Sequence, residues 1–412
     1  MRKIYLITNQ FPYSFSEQFL ETELKFWEGS ELEIVPTRLE GGIRDTGNVS
    51  VKHSIASRMG NYNKLDLSHI IKTAFSSYLW KELIRSPRLF ISAGKLKNLL
   101  RFEYLTQRYS TAILKEFSRD ELSNALFYTY WFSWNTCALT RLKNKYGFKI
   151  VTRCHRVDLY SYAQPSGYMP YNKIYYKEVD LIYSISDDGA QYLHDAYGIE
   201  PEKVVVSRLG VPERTTLPLV SNKPTQTINV LSVSYVKPVK RVLLIAEMLK
   251  KYAIDNPSIS INWTHFGDGP EFSQLKSLTE DAGLTVKLMG MKENFEVINY
   301  YEKLKIDVFI NLSLSEGIPV SIMEAISFGV PIVATDCGGT KEIVDDSVGL
   351  LLDISFSYEE FQSAMKLALQ KKSQAIVLYF KRNYCAEINY KNFKEELLLL
   401  ASKGVFGKRN VD

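Results

Sequence analysis

Two glutamates separated by seven residues, Glu316 and Glu324, flank a strand-to-helix turn in the segment 311–339, NLSLSEGIPVSIMEAISFGVPIVATDCGG. An apolar run ends at Asn311, and Ser313, Ser315, Glu316 and Gly317 follow as a polar turn. Pro319 suits the first turn of a helix, where its missing N–H costs nothing. A helix that starts directly after a strand presents free N–H groups and a positive dipole end, a natural seat for a diphosphate. Gly317 lets the backbone come close to such a ligand. Glu316 lies in the turn and Glu324 on the second helical turn; a carboxylate accepts two hydrogen bonds at once, which fits pairs of sugar or ribose hydroxyls. Either glutamate taken singly is as well explained by the helix dipole, which favours acids near its start. The combination with the following Pro-x-x-Ala-Thr-x-x-Gly-Gly is much harder to obtain by chance.

Such a turn must be held by a sheet, and the pattern of the chain supplies two. Short β-branched or apolar runs alternate with amphipathic stretches, the signature of parallel strands with crossover helices. The predicted strands are 3–8, 32–36, 125–130, 149–154, 181–185 and 203–207, then 228–234, 258–266, 285–289, 307–311, 331–334 and 349–352. Predicted helices include 16–27, 187–197, 239–252, 270–282, 295–303 and 319–328, and the tail from about 357 is helical. A polar stretch at 213–227 carrying Pro218 and Pro224 reads as a linker. The expected organisation is a first domain at 1–212 with a helical insertion at about 64–117. A second domain follows at 228–385, and a tail at 386–412 packs back on the first. The fold class is α/β, two doubly wound domains, with ligand expected in a cleft outside the carboxyl ends of the strands.

The chain has 412 residues, more than one core usually supports. With 45% apolar and 24% charged residues it is ordinary globular material. No window approaches the roughly 18 apolar residues of a membrane span, and the opening apolar run is too short for a signal peptide. The four cysteines, Cys137, Cys154, Cys337 and Cys385, stand singly, which argues against a disulfide framework or zinc site and for a reducing cytoplasm. Net charge is only +5, yet between Lys64 and Lys115 ten Lys/Arg face three Asp/Glu. Phe75, Tyr78, Trp80, Phe90 and Phe102 lie among them. They are expected either to pack inward beneath a solvated basic face, or to belong to a peripheral surface for anionic lipid or a lipid-diphosphate.

The sequence Glu316-Gly-Ile-Pro, Glu324-Ala and Gly329-Val-Pro resembles the Glu-x7-Glu signature of the family 4 retaining glycosyltransferases of the GT-B fold. The resemblance covers the whole second domain and weakens toward the N-terminus. It implies that Glu316 touches the donor sugar and Glu324 the ribose, while Gly317, Ile318, Pro319 and Val320 hold the diphosphate. The segment VLSVSYVKPVKRVLL at 230–244 is similar to the first strand and helix of the family's nucleotide domain, where a basic pair neutralises the diphosphate. Lys240 matches the family lysine; Tyr235 stands where the arginine is usual, with Lys237 or Arg241 as substitutes. A lysine about 4 Å from a phosphate oxygen contributes roughly 4 kcal/mol at an effective dielectric near 20. Gly267 in WTHFGDGP and Met291 in LMGM resemble the base-side loops, although the glycines serve equally as turn residues. Nothing here separates uracil from guanine.

In the first domain Arg153-Cys-His-Arg-Val-Asp158 resembles the His-bearing loop that faces the transferred sugar, which makes His155 a candidate. Ser186 resembles a cleft-lining residue and is also a plain helix N-cap. Asp158 suits a cap, and Ser14-x-x-Glu17 reads as a capping box. No Asp-x-Asp occurs in the chain, so a metal-bound diphosphate is not expected: neither cofactor nor metal is called for, and nucleic acid is not an expected partner.

The expected partners are a nucleotide-sugar donor and a lipid-linked saccharide acceptor at the cytoplasmic face of the inner membrane. The resemblance implies a hexose transfer with retention, from a UDP-sugar or, second, GDP-mannose, in bacterial O-antigen, capsule or exopolysaccharide synthesis. The leaving phosphate itself takes the acceptor's proton. The alternatives are a nucleotide-sugar epimerase of the same shape, whose catalytic set is not found, and a non-catalytic sugar-nucleotide binder, suggested by Tyr235.

Overall fold

The computed structural model describes residues 2–14, 17, 19–27, 31–62, 64–214, 226–280 and 283–403. The chain divides into two compact units, Met1–Leu209 with Ile388–Asp412, and Gly210–Glu387. Most of the linker expected at 213–227 lies outside the described residues.

The first unit holds a seven-stranded sheet of β1 (Lys3–Thr8), β2 (Leu32–Pro36), β3 (Ser50–Val51), β4 (Ala125–Thr129), β5 (Lys149–Cys154), β6 (Leu181–Ser184) and β7 (Val204–Val206), in the order β3-β2-β1-β4-β5-β6-β7. Every pair is parallel. The central strand β4, ALFYT, is buried along its whole length, as a parallel strand covered on both faces must be. The short β3 escaped sequence reading because two residues carry no periodicity. From Ile388 on, the helix Ala386–Lys403 belongs to this unit, and its Phe393 and Leu397 join the core that includes Tyr128 and Tyr183.

The insertion forms helices Leu67–Ala74, Ser77–Arg85 and Ala93–Glu116, with a 3-10 turn at Pro87–Ile91. Of its aromatics, Phe102 is buried and Tyr78 half-buried, but Phe75, Trp80 and Phe90 are exposed. Inward packing is thus corrected for three of the five. Phe75 follows the helix Leu67–Ala74, Trp80 lies on Ser77–Arg85 and Phe90 on the 3-10 turn, and these segments bury Thr73, Leu79, Leu83 and Leu89 instead.

The second unit holds β8 (Thr227–Val233), β9 (Ser260–Phe266), β10 (Thr285–Leu288), β11 (Val308–Asn311), β12 (Ile332–Thr335) and β13 (Gly349–Leu352), in the order β10-β9-β8-β11-β12-β13, again all parallel. The unit opens at Gly210 because Val211 pairs with the chain at its far end: its N–H donates to Tyr384 O, and Ala386 N–H donates to Val211 O. The carboxyl ends of β8 and β11, neighbours in the sheet, carry the turns that hold Lys240 and Glu316. They are tied by Leu314 N–H donating to Val239 O at 2.8 Å.

Candidate functional site

After β11 the chain runs through the polar turn into the helix Val320–Ser327, with Pro319 at the N-cap position rather than inside the helix. Its residues Ile322 through Ser327 are all buried. Packing therefore fixes the helix, and its tip lies at the carboxyl end of the central strand β11. Ile322 and Met323 donate back to Pro319 O. The N–H groups of Gly317, Ile318, Val320 and Ser321 have no acceptor among the described residues, the usual state of an uncapped first turn.

Glu316 is buried, and its Oε1 collects three hydrogen bonds: Lys240 Nζ at 2.5 Å, Ser313 Oγ at 2.6 Å and Asn311 Nδ2 at 3.3 Å. Charge-assisted bonds of this kind are the strong ones. Lys240 arrives from β8 by a 3-10 turn, Pro238–Lys240, after which Arg241 takes a left-handed backbone (φ 48°). The α-helix therefore starts at Val242 and not at 239. The Gly-Gly pair at 338–339 closes the turn from behind. Gly338 has φ 54°, and a Cβ there would lie 2.1 Å from Glu316 O. Gly339 N–H donates to Gly317 O at 2.9 Å.

Glu324 is also buried and accepts from Asn294 Nδ2 at 2.6 Å. Burial pushes its carboxyl up, opposed by the Asn294 amide and the charge of Arg214. Arg214 lies over the Phe328 ring, 5.6 Å from its centroid.

The two substitutes for the family arginine differ. Arg241 Nε donates to Leu312 O at 2.5 Å and Nη1 to Ile354 O at 2.8 Å, so its guanidinium ties two loops together. Lys237 has its ammonium 5.7 Å from the half-exposed Tyr235 ring and is the more available cation.

Gly267 has φ 142°, and a Cβ on it would stand 1.8 Å from Ser234 O. The glycine is required by close packing of two protein loops, and Gly267 N–H donates to Gly290 O. Met291, beside this bridge, is exposed. Behind it His265 is buried with Nδ1 2.8 Å from Ser232 Oγ, and burial drives its pKa down to about 4.

His155 and Ser186 belong to the first unit. His155 is buried against Tyr130 and Trp131, with ring centroids at 4.8 and 4.6 Å. Neither ring nitrogen makes a hydrogen bond among the described residues; Nδ1 stands 3.6 Å from Asp158 Oδ2, an ion pair only when the ring is protonated. Asp158 accepts from the N–H groups of His155 and Phe132 and so fixes the loop. Ser186 caps the helix Asp187–Tyr197, its Oγ accepting from Gly189 N–H at 3.0 Å.

The capping box expected at Ser14 and Glu17 is not what forms. Glu17 takes φ 58°, and its carboxylate accepts from the N–H groups of Asn9, Gln10 and Phe11 and from Trp131 Nε1. A buried carboxylate is satisfied best by converging donors; the loop closing on itself offers three and Trp131, from another segment, the fourth. Ser16 and Gln18 lie outside the described residues.

Sequence reading missed Asn311, Ser313, Asn294 and Arg214 as partners of the two glutamates. Asn311 and Ser313 carried a signal, being polar residues at the end of an apolar strand. Asn294 and Arg214 carried none.

Residues 213–391 match the family described as Glycosyl transferases group 1. Among curated proteins the chain is 30% identical to the putative colanic acid biosynthesis glycosyltransferase WcaL of Escherichia coli strain K12, over 50% of this chain and 51% of that protein. It is 31% identical to the amylovoran biosynthesis glycosyltransferase AmsK of Erwinia amylovora, over 37% and 39%. Against the O-antigen biosynthesis glycosyltransferase WbnH of E. coli the figures are 25%, over 50% and 58%. The chain thus spans about half the length of the curated relatives it matches. Among solved structures, the lipopolysaccharide outer core galactosyltransferase WaaB superposes with a TM-score of 0.68 at 15% identity, covering 97% of this chain and 99% of that one. Anabaena HepE in complex with UDP and glucose gives 0.62 at 13%, over 97% and 100%. At such identities the structures speak for the fold alone. The parallel six-stranded sheet and the turn that carries Glu316 lie within residues 213–391, the part of the chain that matches the glycosyl transferases group 1 model, and the fold is of the GT-B type.

Proposed function

We propose that this protein is a retaining, metal-independent glycosyltransferase that moves a hexose from a nucleotide diphosphate sugar to a lipid-linked oligosaccharide in bacterial surface polysaccharide synthesis. A UDP-sugar is the first choice of donor and GDP-mannose the second. The observation that carries the reading is the juxtaposition of Lys240 and Glu316 at a helix tip whose first N–H groups have no acceptor among the described residues. A leaving diphosphate gains negative charge as the glycosidic bond breaks, so a cation and N–H dipoles held in place bind it more strongly in the transition state than before. Glu316 then holds hydroxyls of the sugar and Glu324 those of the ribose. His155, in the first unit, is the candidate for a contact with a sugar hydroxyl; its ring nitrogens make no hydrogen bond among the described residues. The acceptor's proton goes to the leaving phosphate, which leaves the protein the tasks of positioning and charge stabilisation. Colanic acid, amylovoran and O-antigen synthesis in the names of the relatives support a polysaccharide acceptor. The work would take place at the cytoplasmic face of the inner membrane, where lipid-linked acceptors are exposed.

The test is transfer and hydrolysis with a panel of UDP- and GDP-sugars, with product anomers read by NMR. Glu316→Ala should abolish turnover and leave the circular dichroism spectrum unchanged. Near-normal turnover of that variant with a verified donor, or no calorimetric heat with any nucleotide sugar, sinks the reading.

A further inference from the structure

The helix Leu67–Ala74 is packed inside out. Its apolar residues Leu67, Ile70, Ile71 and Ala74, with Phe75 just beyond, recur at i, i+3, i+4, i+7 and i+8, a single stripe that normally faces a core. Here the stripe faces away from the protein: Leu67 is 71% and Phe75 83% exposed, and Ile70 and Ile71 are exposed as well. The opposite, polar side packs on the helix Ala93–Glu116. The His69 ring lies 6.2 Å from that of Tyr104, Lys72 Nζ lies 3.3 Å from Thr111 Oγ1, and Thr73 is buried.

The next two turns of chain continue the surface. Helix Ser77–Arg85 buries Leu79 and Leu83 while leaving Trp80 and Ile84 outside, and Pro87–Ile91 buries Leu89 while Phe90 and Ile91 (85%) are exposed. Trp80 Nε1 donates to Ala74 O at 2.8 Å, so its polar atom is satisfied and its ring remains out. Exposed Lys64, Lys81, Arg85 and Arg88 are interleaved with these residues. Of the acids, Glu82 is buried and accepts from Tyr168 Oη, while Asp66, which caps the helix at His69 N–H, stays exposed and sets one negative charge against the four positive ones.

We propose that residues 64–91 form a docking face for an anionic lipid bilayer. The apolar stripe enters the boundary between headgroups and acyl chains, and Lys64, Lys81, Arg85 and Arg88 meet the lipid phosphates. Exposed apolar surface of this kind marks a site of association, and the basic residues interleaved with it select a negative partner. A second copy of the chain would set the same positive charges against each other. The proposal rests on the function above only in placing the acceptor at a membrane.

The test uses the full chain and sedimentation with vesicles of phosphatidylcholine alone or mixed equally with phosphatidylglycerol. Two variants are compared, Phe75→Ser/Ile84→Ser/Ile91→Ser and Lys81→Glu/Arg85→Glu/Arg88→Glu. The wild-type chain should partition onto anionic vesicles and far less onto neutral ones. Each variant should lower that partition by at least about 10-fold, with melting temperature unchanged. Equal binding of the wild type to both vesicles, or unchanged partition of both variants, overturns the proposal. So does a lipid-free dimer, seen by analytical ultracentrifugation, that the serine variant abolishes, because the face would then belong to a second copy. Nucleotide-sugar hydrolysis, expected unchanged in both variants, is read in parallel so that a failed docking face and a failed donor site give different patterns.

Discussion

Lys240 Nζ stands 2.5 Å from Oε1 of Glu316, and the other two hydrogen bonds to this carboxylate fall on the same oxygen. The pair couples an anion-binding cation to an anion-repelling carboxylate, so ligands with and without the sugar should respond oppositely to its loss. Glu316→Gln should bind UDP at least as tightly as the wild type, because Lys240 is released and a negative charge removed. The same variant should lose transfer by roughly two to three orders of magnitude, the range found when one preorganised polar contact is deleted. Isothermal titration with UDP beside steady-state transfer separates the two effects. Weaker UDP binding in Glu316→Gln would contradict the coupling.

Glu324 carries the cost of a buried carboxylate, raised above its usual range by desolvation. A raised acid binds more protons folded than unfolded, so stability falls as pH climbs from the unfolded value, near 4.3, through the folded one. Glu324→Gln keeps an acceptor for Asn294 and removes the charge. We expect its unfolding midpoint at pH 7.5 to rise by about 2–4 °C, corresponding to about 1 kcal/mol. The gain should shrink toward pH 5, while donor affinity drops. A thermal scan across pH is decisive, and a variant less stable than wild type at pH 7.5 counts against the assignment.

His265 runs in the other direction. Its imidazole is held near pKa 4 by burial, so below about pH 6.5 the unfolded chain takes up a proton that the folded one refuses. This contribution is full above pH 6.5 and is lost as pH falls toward 4, on the order of 3 kcal/mol in all. Urea unfolding of wild type and His265→Gln between pH 7 and 4 should give converging stabilities on acidification. Parallel curves would exclude the histidine as the source.

Arg153 and Glu23 form a fully buried pair, with Nη1 2.7 Å from Oε2, and the guanidinium lies 4.2 Å from the Phe393 ring centroid. Burial nonetheless raises Glu23, so the carboxylate depends on its partner. Arg153→Met should cost about 3–5 kcal/mol by leaving an uncompensated charge, and adding Glu23→Gln should restore a good part. A double-mutant cycle in urea measures this; additive losses would show the two residues to be uncoupled.

Much of this architecture was legible in the linear pattern. Strand and helix periodicity is local, and buried parallel strands such as β4 and β12 read as unbroken apolar runs. The turn from Glu316 to Val320 was visible because a glycine, a proline and two acids at set spacing are rare together. Element ends were less so: the 3-10 turn at Pro238–Lys240 depends on Arg241 adopting a left-handed backbone, which no propensity announces.

Residue types and spacing were enough to specify two α/β units and a strand-to-helix turn flanked by two acids, since each follows from backbone geometry within a few residues. Partnership was not contained in the order of the chain. Lys240 meets Glu316 across 76 residues and Arg153 meets Glu23 across 130, because the sheet order brings their strand ends and neighbouring helices together. The apolar stripe of Leu67–Ala74 was equally readable, but only packing decided that its polar side meets the neighbouring helix and its apolar side is left outward. Periodicity states that a face exists; which surface covers it is settled by everything folded around it.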